Sequence, residues 1–244
     1  MALNARYNPI LFFGGMIPLF IQGQISPNYK DRIDFELVND RAVFVEATIQ
    51  NKPLAFFFDT GATTALLDRN SANELGLKPN HQTKVTGAGG DKVYDLAANQ
   101  EVIIGQTKLE GVHLVFDDME VFRKQFERPF DGIIGHSLLS KYQVEMNFDQ
   151  KRFYLYDFET ALDVSDYTEI PFEFGNDIPI PQFDIEIKAN GKAFKGRILF
   201  DSGAGLTLLL NTPFSKENQL PSSAQKKLTT SARTSPKNRS PPIS

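Results

Sequence analysis

The stretch LAFFFDTGAT, residues 54–63, decides the fold, because a run of bulky apolar residues ends abruptly in a carboxylate, a hydroxyl and a glycine. The same pattern returns in RILFDSGA, residues 197–204. A short apolar run that is bounded by turn residues indicates a buried strand. The chain therefore places a carboxylate directly after a buried strand at two positions, Asp59 and Asp201.

Asp59 and Asp201 are the candidate catalytic residues. Two carboxylates that are held close together cannot both ionise, so the pKa of one falls and the pKa of the other rises. Such a pair holds one proton, and it supplies a general base for a water molecule and a general acid for a carbonyl oxygen. The pattern therefore favours a hydrolase that works through a carboxylate dyad.

The residues that follow each Asp suit such a dyad. The hydroxyls of Thr60 and Ser202 can bond across the join between the two halves and hold the loops together. Gly61 and Gly203 have no Cβ, so the backbone can turn sharply and bring its amide close to a carboxylate. The alternative is an ordinary turn at a strand end, where Asp, Thr and Gly are all common. A duplicate with matched flanks favours the dyad.

Three further segments carry a resemblance to a known family. ALLD at residues 65–68 leads to a helix-like segment at residues 71–77, and FDGIIGHSLL at residues 130–139 contains two apolar residues followed by a Gly. An alternating strand follows at residues 142–149. Together with the Asp-Thr-Gly loop, these segments resemble the bacterial retropepsin-like aspartyl proteases, which are related to the retroviral proteases and, more distantly, to pepsin.

This resemblance covers about residues 40–157 well and residues 168–214 in part. It implies an aspartic-type endopeptidase in which Asp59 and Asp201 share a proton around a nucleophilic water. It also implies a peptide or protein substrate, no metal and no organic cofactor. Two other readings stay open: a homodimer whose dyad is made of two copies of Asp59, and a non-catalytic peptide-binding remnant of such a protease.

Short strands separated by turns predict a mostly β fold. Partial alternation at residues 42–49, a turn, and the apolar run at residues 54–58 predict a hairpin. We expect one complete retropepsin- or pepsin-like β-barrel lobe at residues 34–157, with short helices after Leu67 and after Gly135.

The second Asp belongs to a duplicated lobe that begins in the same way. Residues 181–188, a turn, and residues 194–200 repeat the hairpin that leads to the first Asp. No segment of two apolar residues and a Gly follows the second Asp, so we predict a partial second lobe at residues 168–214. Residues 215–244 are rich in Ser, Thr, Pro, Lys and Arg, and we predict that this tail is disordered.

Composition argues against several functions. The chain has 244 residues and is 41% hydrophobic, which is enough for one or two compact domains. A net charge of -4 and a pI of about 5.5 argue against nucleic-acid binding. The absence of cysteine excludes a disulfide framework and thiolate metal sites. His81, His113 and His136 lack the spacing of a metal site, so we predict no metal.

Residues 1–24 are predicted to be a signal peptide. Arg6 precedes an apolar run at residues 10–21, which breaks into polar residues. The run is shorter than the roughly 20 residues that a membrane-spanning helix needs, and it matches the apolar region of a signal peptide. We therefore expect an exported protein of the periplasm or cell envelope with no stable membrane span. The alternative is a buried strand or helix of the fold.

A glycine-rich segment, TGAGGD, occupies residues 86–91. It lies where the family carries a mobile hairpin flap over the substrate, and its glycines suit flexibility. As a phosphate loop it lacks the Gly-Lys-Ser/Thr ending, and the remaining alternative is an ordinary glycine turn. We predict a flap that contacts the substrate and contains Gly87, Ala88, Gly89 and Gly90.

Overall fold

The apolar runs form strands in the computed structural model, which describes residues 10–13, 19–21, 28–87, 90–165, 167–175, 178–189, 192–205 and 208–220. In chain order the strands are β1 (Ile10–Phe13), β2 (Leu19–Ile21), β3 (Asp31–Val38), β4 (Ala42–Ile49), β5 (Lys52–Phe58), β6 (Ala65–Asp68), β7 (His81–Gly87), β8 (Gly90–Ile104), β9 (Thr107–Asp117), β10 (Gly132–Ile134), β11 (Gln143–Asn147), β12 (Arg152–Tyr156), β13 (Thr168–Pro171), β14 (Gln182–Ala189) and β15 (Lys192–Leu199). The helices are α1 (Arg69–Glu74), α2 (Glu120–Phe126), α3 (His136–Leu139) and α4 (Thr212–Glu217), and a 3-10 helix spans Ser202–Ala204.

The mostly β fold predicted from the sequence is confirmed. The predicted hairpin is β4 and β5, and the predicted short helices after Leu67 and Gly135 are α1 and α3. Helix α2 was not predicted, because its segment reads as a polar turn between strands. The chain forms two units, Met1–Phe183 with Ile198–Gly203, and Asp184–Arg197 with Ala204–Ser244.

The first unit contains a closed ring of strands. In the described residues the order β4-β5-β10-β6-β9-β8 returns to β4 through an additional pairing of β4 with β8. Strand β10 lies between β5, to which it is parallel, and β6, to which it is antiparallel. This placement brings the end of β10 next to the loop that follows β5, where Asp59 lies.

The side chains of β5 divide between two apolar clusters. Leu54, Phe56 and Phe58 are buried in the main core, because alternate residues of a strand point to the same face. Phe57 packs instead in a second apolar cluster, which contains Phe130. The ring centroids of Phe57 and Phe130 are 5.9 Å apart. Helix α2 covers this second cluster with partly buried aromatic side chains. The strand that carries Asp59 is therefore packed on both faces.

The segment predicted to be a signal peptide is described only at β1 and β2. Strand β1 pairs in parallel with β13, and β2 pairs in parallel with β11. The rest of residues 1–24 lies outside the described residues, and the signal peptide stays a prediction. In the part of the chain that the structure describes, no helix is long and apolar enough to cross a membrane.

The second unit consists of most of the β14–β15 hairpin and helix α4. Within the unit Arg197 Nε donates to Asp184 Oδ1 at 3.0 Å. The side chain of Asn211 caps α4 by accepting from the amide of Phe214 at 2.9 Å, and a proline occupies its first turn.

Helix α4 extends into the tail that was predicted to be disordered from residue 215. Ser215 is buried, and the described residues continue to Leu220. The prediction of disorder is therefore corrected for residues 215–220. The Asn cap and the proline after it start a helix, but the low apolar content of this segment favoured disorder in the sequence analysis. Residues 221–244 lie outside the described residues, and the partial second lobe at 168–214 stays a prediction.

Candidate active site

The structure brings the two Asp-hydroxyl-Gly motifs together. Asp59 follows the end of β5, and Asp201 follows β15 with Phe200 between. A Cβ placed on Gly203 would lie 2.3 Å from the carboxyl carbon of Asp59, and a Cβ on Gly61 would lie 2.7 Å from that of Asp201. Each glycine therefore lies against the carboxyl group of the other motif, and any side chain there would displace it.

Backbone amides fix the carboxyl group of Asp59. The amide of Gly61 donates to Asp59 Oδ1 at 2.7 Å, and the amide of Gly203 donates to the same oxygen at 3.0 Å. One donor comes from each motif, so the position of Asp59 depends on both. Asp59 is partly buried and Asp201 is exposed.

Thr60 and Ser202 lock the two loops together. The amide of Ser202 donates to Thr60 Oγ1 at 2.9 Å, and Thr60 Oγ1 donates to the carbonyl oxygen of Phe200 at 2.8 Å. The amide of Thr60 in turn donates to Ser202 Oγ at 3.0 Å. Because Thr60 is only 2% exposed, water cannot readily replace these bonds. The structure thus brings together the six residues that the sequence singled out as candidates for the dyad and its support.

The electrostatics of the site favour a shared proton. Burial raises the pKa of Asp59 to about 6, and the charge of Asp201 and the hydrogen bond that the protonated Asp59 makes to the Asp201 side chain add to the effect. The amides of Gly61 and Gly203 oppose this rise, because they stabilise the charged form. A carboxyl group that keeps its proton into mildly acidic conditions can donate it to a substrate.

The end of strand β10 is hydrogen-bonded to the backbone of Asp59. The amide of Asp59 donates to the carbonyl oxygen of Ile134 at 2.9 Å. A Cβ on Gly135 would lie 1.8 Å from the carbonyl oxygen of Asp59, so only glycine fits there. The amide of His136 donates to the carbonyl oxygen of Ala62 at 3.0 Å. The segment with two apolar residues and a Gly therefore holds both sides of the Asp59 loop.

Asp131 has a structural role here, because its hydrogen bonds join the start of β10 to neighbouring elements. Its carboxyl oxygens accept from the amide of Ala55 at 2.8 Å and from Ser71 Oγ at 2.7 Å. Its own amide donates to the carbonyl oxygen of Ala55 at 2.8 Å. These bonds tie the start of β10 to β5 and α1.

Sequence reasoning missed an ion pair between the buried Asp68 and the partly exposed Arg123. Asp68 caps α1 by accepting from the amides of Asn70 and Ser71, and it also accepts from the amide of Met119. Arg123 of α2 lies 3.0 Å from Asp68 Oδ1. The available signal was an Asp directly before a helical segment, which is typical of an N-terminal cap. Nothing in the sequence named its partner.

Two of the four predicted flap residues lie in the described part of the β7–β8 hairpin. Gly87 and Gly90 pair with each other at the ends of the two strands, while Ala88 and Gly89 lie outside the described residues. The hairpin position agrees with a flap, but the contact with a substrate stays a prediction.

Comparisons with known proteins find similarity to part of this chain. Residues 45–138 match the model of a family described as Aspartyl protease; these residues include Asp59 and β10 and end before Asp201. Over 117 residues the chain is 28% identical to the Retrovirus-related Pol polyprotein from transposon 412 of Drosophila melanogaster. That alignment covers 47% of this chain and 9% of the polyprotein, so the chain spans a small part of that relative.

Among solved structures the chain is similar to a retropepsin-like aspartic protease from Rickettsia conorii. The TM-score is 0.38 at 20% sequence identity, and the likeness covers 51% of this chain and 87% of that one.

Proposed function

We propose that this chain, whose residues 45–138 match the aspartyl protease family model, is a retropepsin-like aspartic-type endopeptidase that uses Asp59 and Asp201. The observation that carries the proposal is the reciprocal packing of the two motifs. Gly203 lies against the carboxyl group of Asp59, and Gly61 lies against that of Asp201. An ordinary turn at a strand end does not require a second, distant turn of the same composition against its carboxylate.

The mechanism follows from one proton shared by two carboxyl groups. The ionised carboxylate takes a proton from a water molecule, whose oxygen attacks the carbonyl carbon of the peptide bond, while the protonated carboxyl group donates to the carbonyl oxygen. The tetrahedral intermediate, which now carries two hydroxyl groups, loses its C–N bond as the protonated carboxyl group donates its proton to the leaving nitrogen and the other carboxylate takes a proton from one of these hydroxyl groups. A carboxylic acid and an amine are released, and the dyad again holds one proton.

The surrounding residues keep the two carboxyl groups ready for this reaction. The amides of Gly61 and Gly203 hold one oxygen of Asp59 in place, and the Thr60–Ser202 bonds prevent the loops from separating. Fixed donors of this kind do not have to reorganise during the reaction, which is where an enzyme gains most over water.

The substrate and setting belong to the same proposal. The substrate is a peptide or protein held under the β7–β8 hairpin, and no metal or organic cofactor takes part. The protein acts after export, in the periplasm or cell envelope. Within one chain the dyad is Asp59 with Asp201, and a homodimer with two copies of Asp59 is the alternative assembly.

Cleavage of an unfolded protein by the purified chain at about pH 5 tests the proposal. We expect cleavage that pepstatin inhibits and that Asp59→Asn abolishes, while Asp149→Asn, which removes an exposed carboxylate from a turn, retains it. Loss of activity in Asp201→Asn supports the dyad within one chain, and full activity supports the homodimer. Peptide retention without cleavage supports the non-catalytic binding protein. If the chain neither cleaves nor retains peptide, both functions are refuted.

A further inference from the structure

We propose that Arg123 of helix α2 is a positioning residue for Asp59, and that it acts through strand β10. The inference rests on the proposed endopeptidase function, which it deepens by adding a residue outside the matched motifs of the dyad. Arg123 touches neither carboxyl group of the dyad among the contacts that the structure records for it.

Arg123 joins two elements that flank the Asp59 loop. Its Nη1 lies 3.0 Å from Asp68 Oδ1 at the end of β6 and donates to the carbonyl oxygen of Phe130 at 3.2 Å. The side chain of Asp68 is only 2% exposed, and that of Arg123 is 29% exposed. Because Asp68 is withdrawn from solvent, the pair is screened less than one between two exposed side chains, so it constrains both partners more than a surface pair does.

Phe130 leads directly into the segment that supports Asp59. It is fully buried, and β10 begins two residues later between β5 and β6. At the far end of β10 the carbonyl oxygen of Ile134 accepts from the amide of Asp59. Since β10 is short and paired on both sides, a displacement at Phe130 is transmitted along it to Asp59.

A second route reaches the same loop from α2. The amide of Met119, the residue before the helix, donates to Asp68 Oδ1 at 3.0 Å. The side chain of Met119 is buried in the second apolar cluster, which also contains Ala62 and Phe130. Arg123 and Met119 thus converge on Asp68, and both are tied to the residues around the Asp59 loop.

Removal of the guanidinium has a defined local effect. Asp68 retains the amides of Asn70, Ser71 and Met119, so the cap of α1 survives in a variant. The carbonyl oxygen of Phe130 loses a donor, and Asp68 loses its cation. The expected result is a small shift of β10, which changes the fit of Asp59 to the amides of Gly61 and Gly203. Small misplacements of reacting groups reduce rates by up to about 100-fold.

The test compares Arg123→Ala and Arg123→Lys with Arg152→Ala. Arg152 is a matched control, because its Nε lies 2.7 Å from Asp34 Oδ1 in the same unit but on β12, away from β10. We expect Arg123→Ala to lower kcat by about 10-fold to 100-fold with KM changed less than about 3-fold. Arg123→Lys, which keeps a cation beside Asp68, recovers most of kcat, and Arg152→Ala matches the parent.

The pH profile separates positioning from simple destabilisation. If Asp59 moves away from the two amides, its charged form loses stabilisation, so the acid limb of kcat/KM moves to higher pH in Arg123→Ala. Rates are measured per folded molecule, with the folded fraction taken from circular dichroism. Unchanged kcat with an unmoved acid limb overturns the inference, as does an equal loss in Arg152→Ala.

A readout without catalysis distinguishes failure of this inference from failure of the proposed function. If the parent cleaves nothing, the proposed function fails, and the pH dependence of unfolding still reports the environment of Asp59. In the Arg123→Ala background, or in Arg123→Met, which removes the cation but keeps most of the side-chain volume, if Arg123→Ala does not fold, the stability gained from Asp59→Asn is followed from pH 4 to pH 8. A titration at higher pH than in the parent supports the positioning role, and an identical titration overturns it.

Discussion

Replacement of Asp59 by Asn is expected to stabilise the folded protein at neutral pH while it abolishes catalysis. Burial, followed by the charge of Asp201, raises the pKa of Asp59 from 3.8 to about 6. A raised pKa means that the folded state holds the proton more tightly than the unfolded chain does. The stability associated with the protonated group is therefore fully present below about pH 4 and is lost as the pH rises through about 6.

The magnitude follows from the difference of about two pH units between the folded and unfolded pKa values. At about 1.4 kcal/mol for each unit, ionisation of Asp59 costs the folded state up to about 3 kcal/mol. Partial solvent contact of Asp59 and its coupling to Asp201 make this an upper value. Asn cannot ionise, and its oxygen still accepts from the amides of Gly61 and Gly203, so the variant avoids the cost.

Urea unfolding followed by far-ultraviolet circular dichroism measures the effect at pH 3.5 and at pH 7.5. We expect Asp59→Asn to match the parent at the lower pH and to exceed it by about 2 to 3 kcal/mol at the higher pH. Asp149→Asn removes an exposed carboxylate and is the control for net charge. A variant that is no more stable than the parent at pH 7.5, or equally more stable at both pH values, would refute the reasoning.

Three further predictions concern the same site. Proteolysis should peak at about pH 4 to 6 and decline as the pH rises through about 6, because the two carboxyl groups then lose their shared proton. In Ala62→Ser the new hydroxyl should bond the carboxylate and move the acid limb of the pH–rate profile to lower pH; a parent profile centred near pH 2 would count against the predicted optimum. Gly203→Ala should lower kcat by about 100-fold, since its Cβ would lie 2.3 Å from the carboxyl carbon of Asp59, and a rate near that of the parent would contradict the reciprocal packing. Thr60→Val should lower the free energy of unfolding by about 2 to 3 kcal/mol, because Ser202 loses an acceptor and Phe200 a donor, and unchanged urea midpoints would show that water replaces the hydroxyl.

Much of the fold and the site could be predicted because the relevant signals are local. An apolar strand followed by Asp, a hydroxyl residue and Gly predicts a loop from turn preferences alone. Because the same pattern returns at Asp201, the sequence also predicts that the two loops form a pair. The segment at residues 130–139, which contains two apolar residues followed by Gly135, was identified by resemblance to a family. The helix after residue 68 was predicted in the same way, from a segment that the family carries.

Helix α2 and the end of the ordered tail escaped prediction for a different reason. The segment at Glu120 carries acidic residues beside it, which indicate a solvated turn when its contacts are unknown. Its helix is held by Phe122 and Phe126, which pack on the second cluster, and by Arg123 against Asp68. In α4, the low apolar content outweighed the capping signal of Asn211.

By itself, the sequence determined that this protein is mostly β and carries two strand-Asp-hydroxyl-Gly loops, because strand and turn preferences depend on a few adjacent residues. Only the tertiary structure decided that Gly61 lies against the carboxyl group of Asp201 and Gly203 against that of Asp59. The same holds for the ion pair between Arg123 and Asp68. The tertiary structure also decided the raised pKa of Asp59, since burial and the charge of Asp201 come from residues far apart in the chain. Desolvation and charge act through space, so they exist only once the ring of strands has brought those residues together.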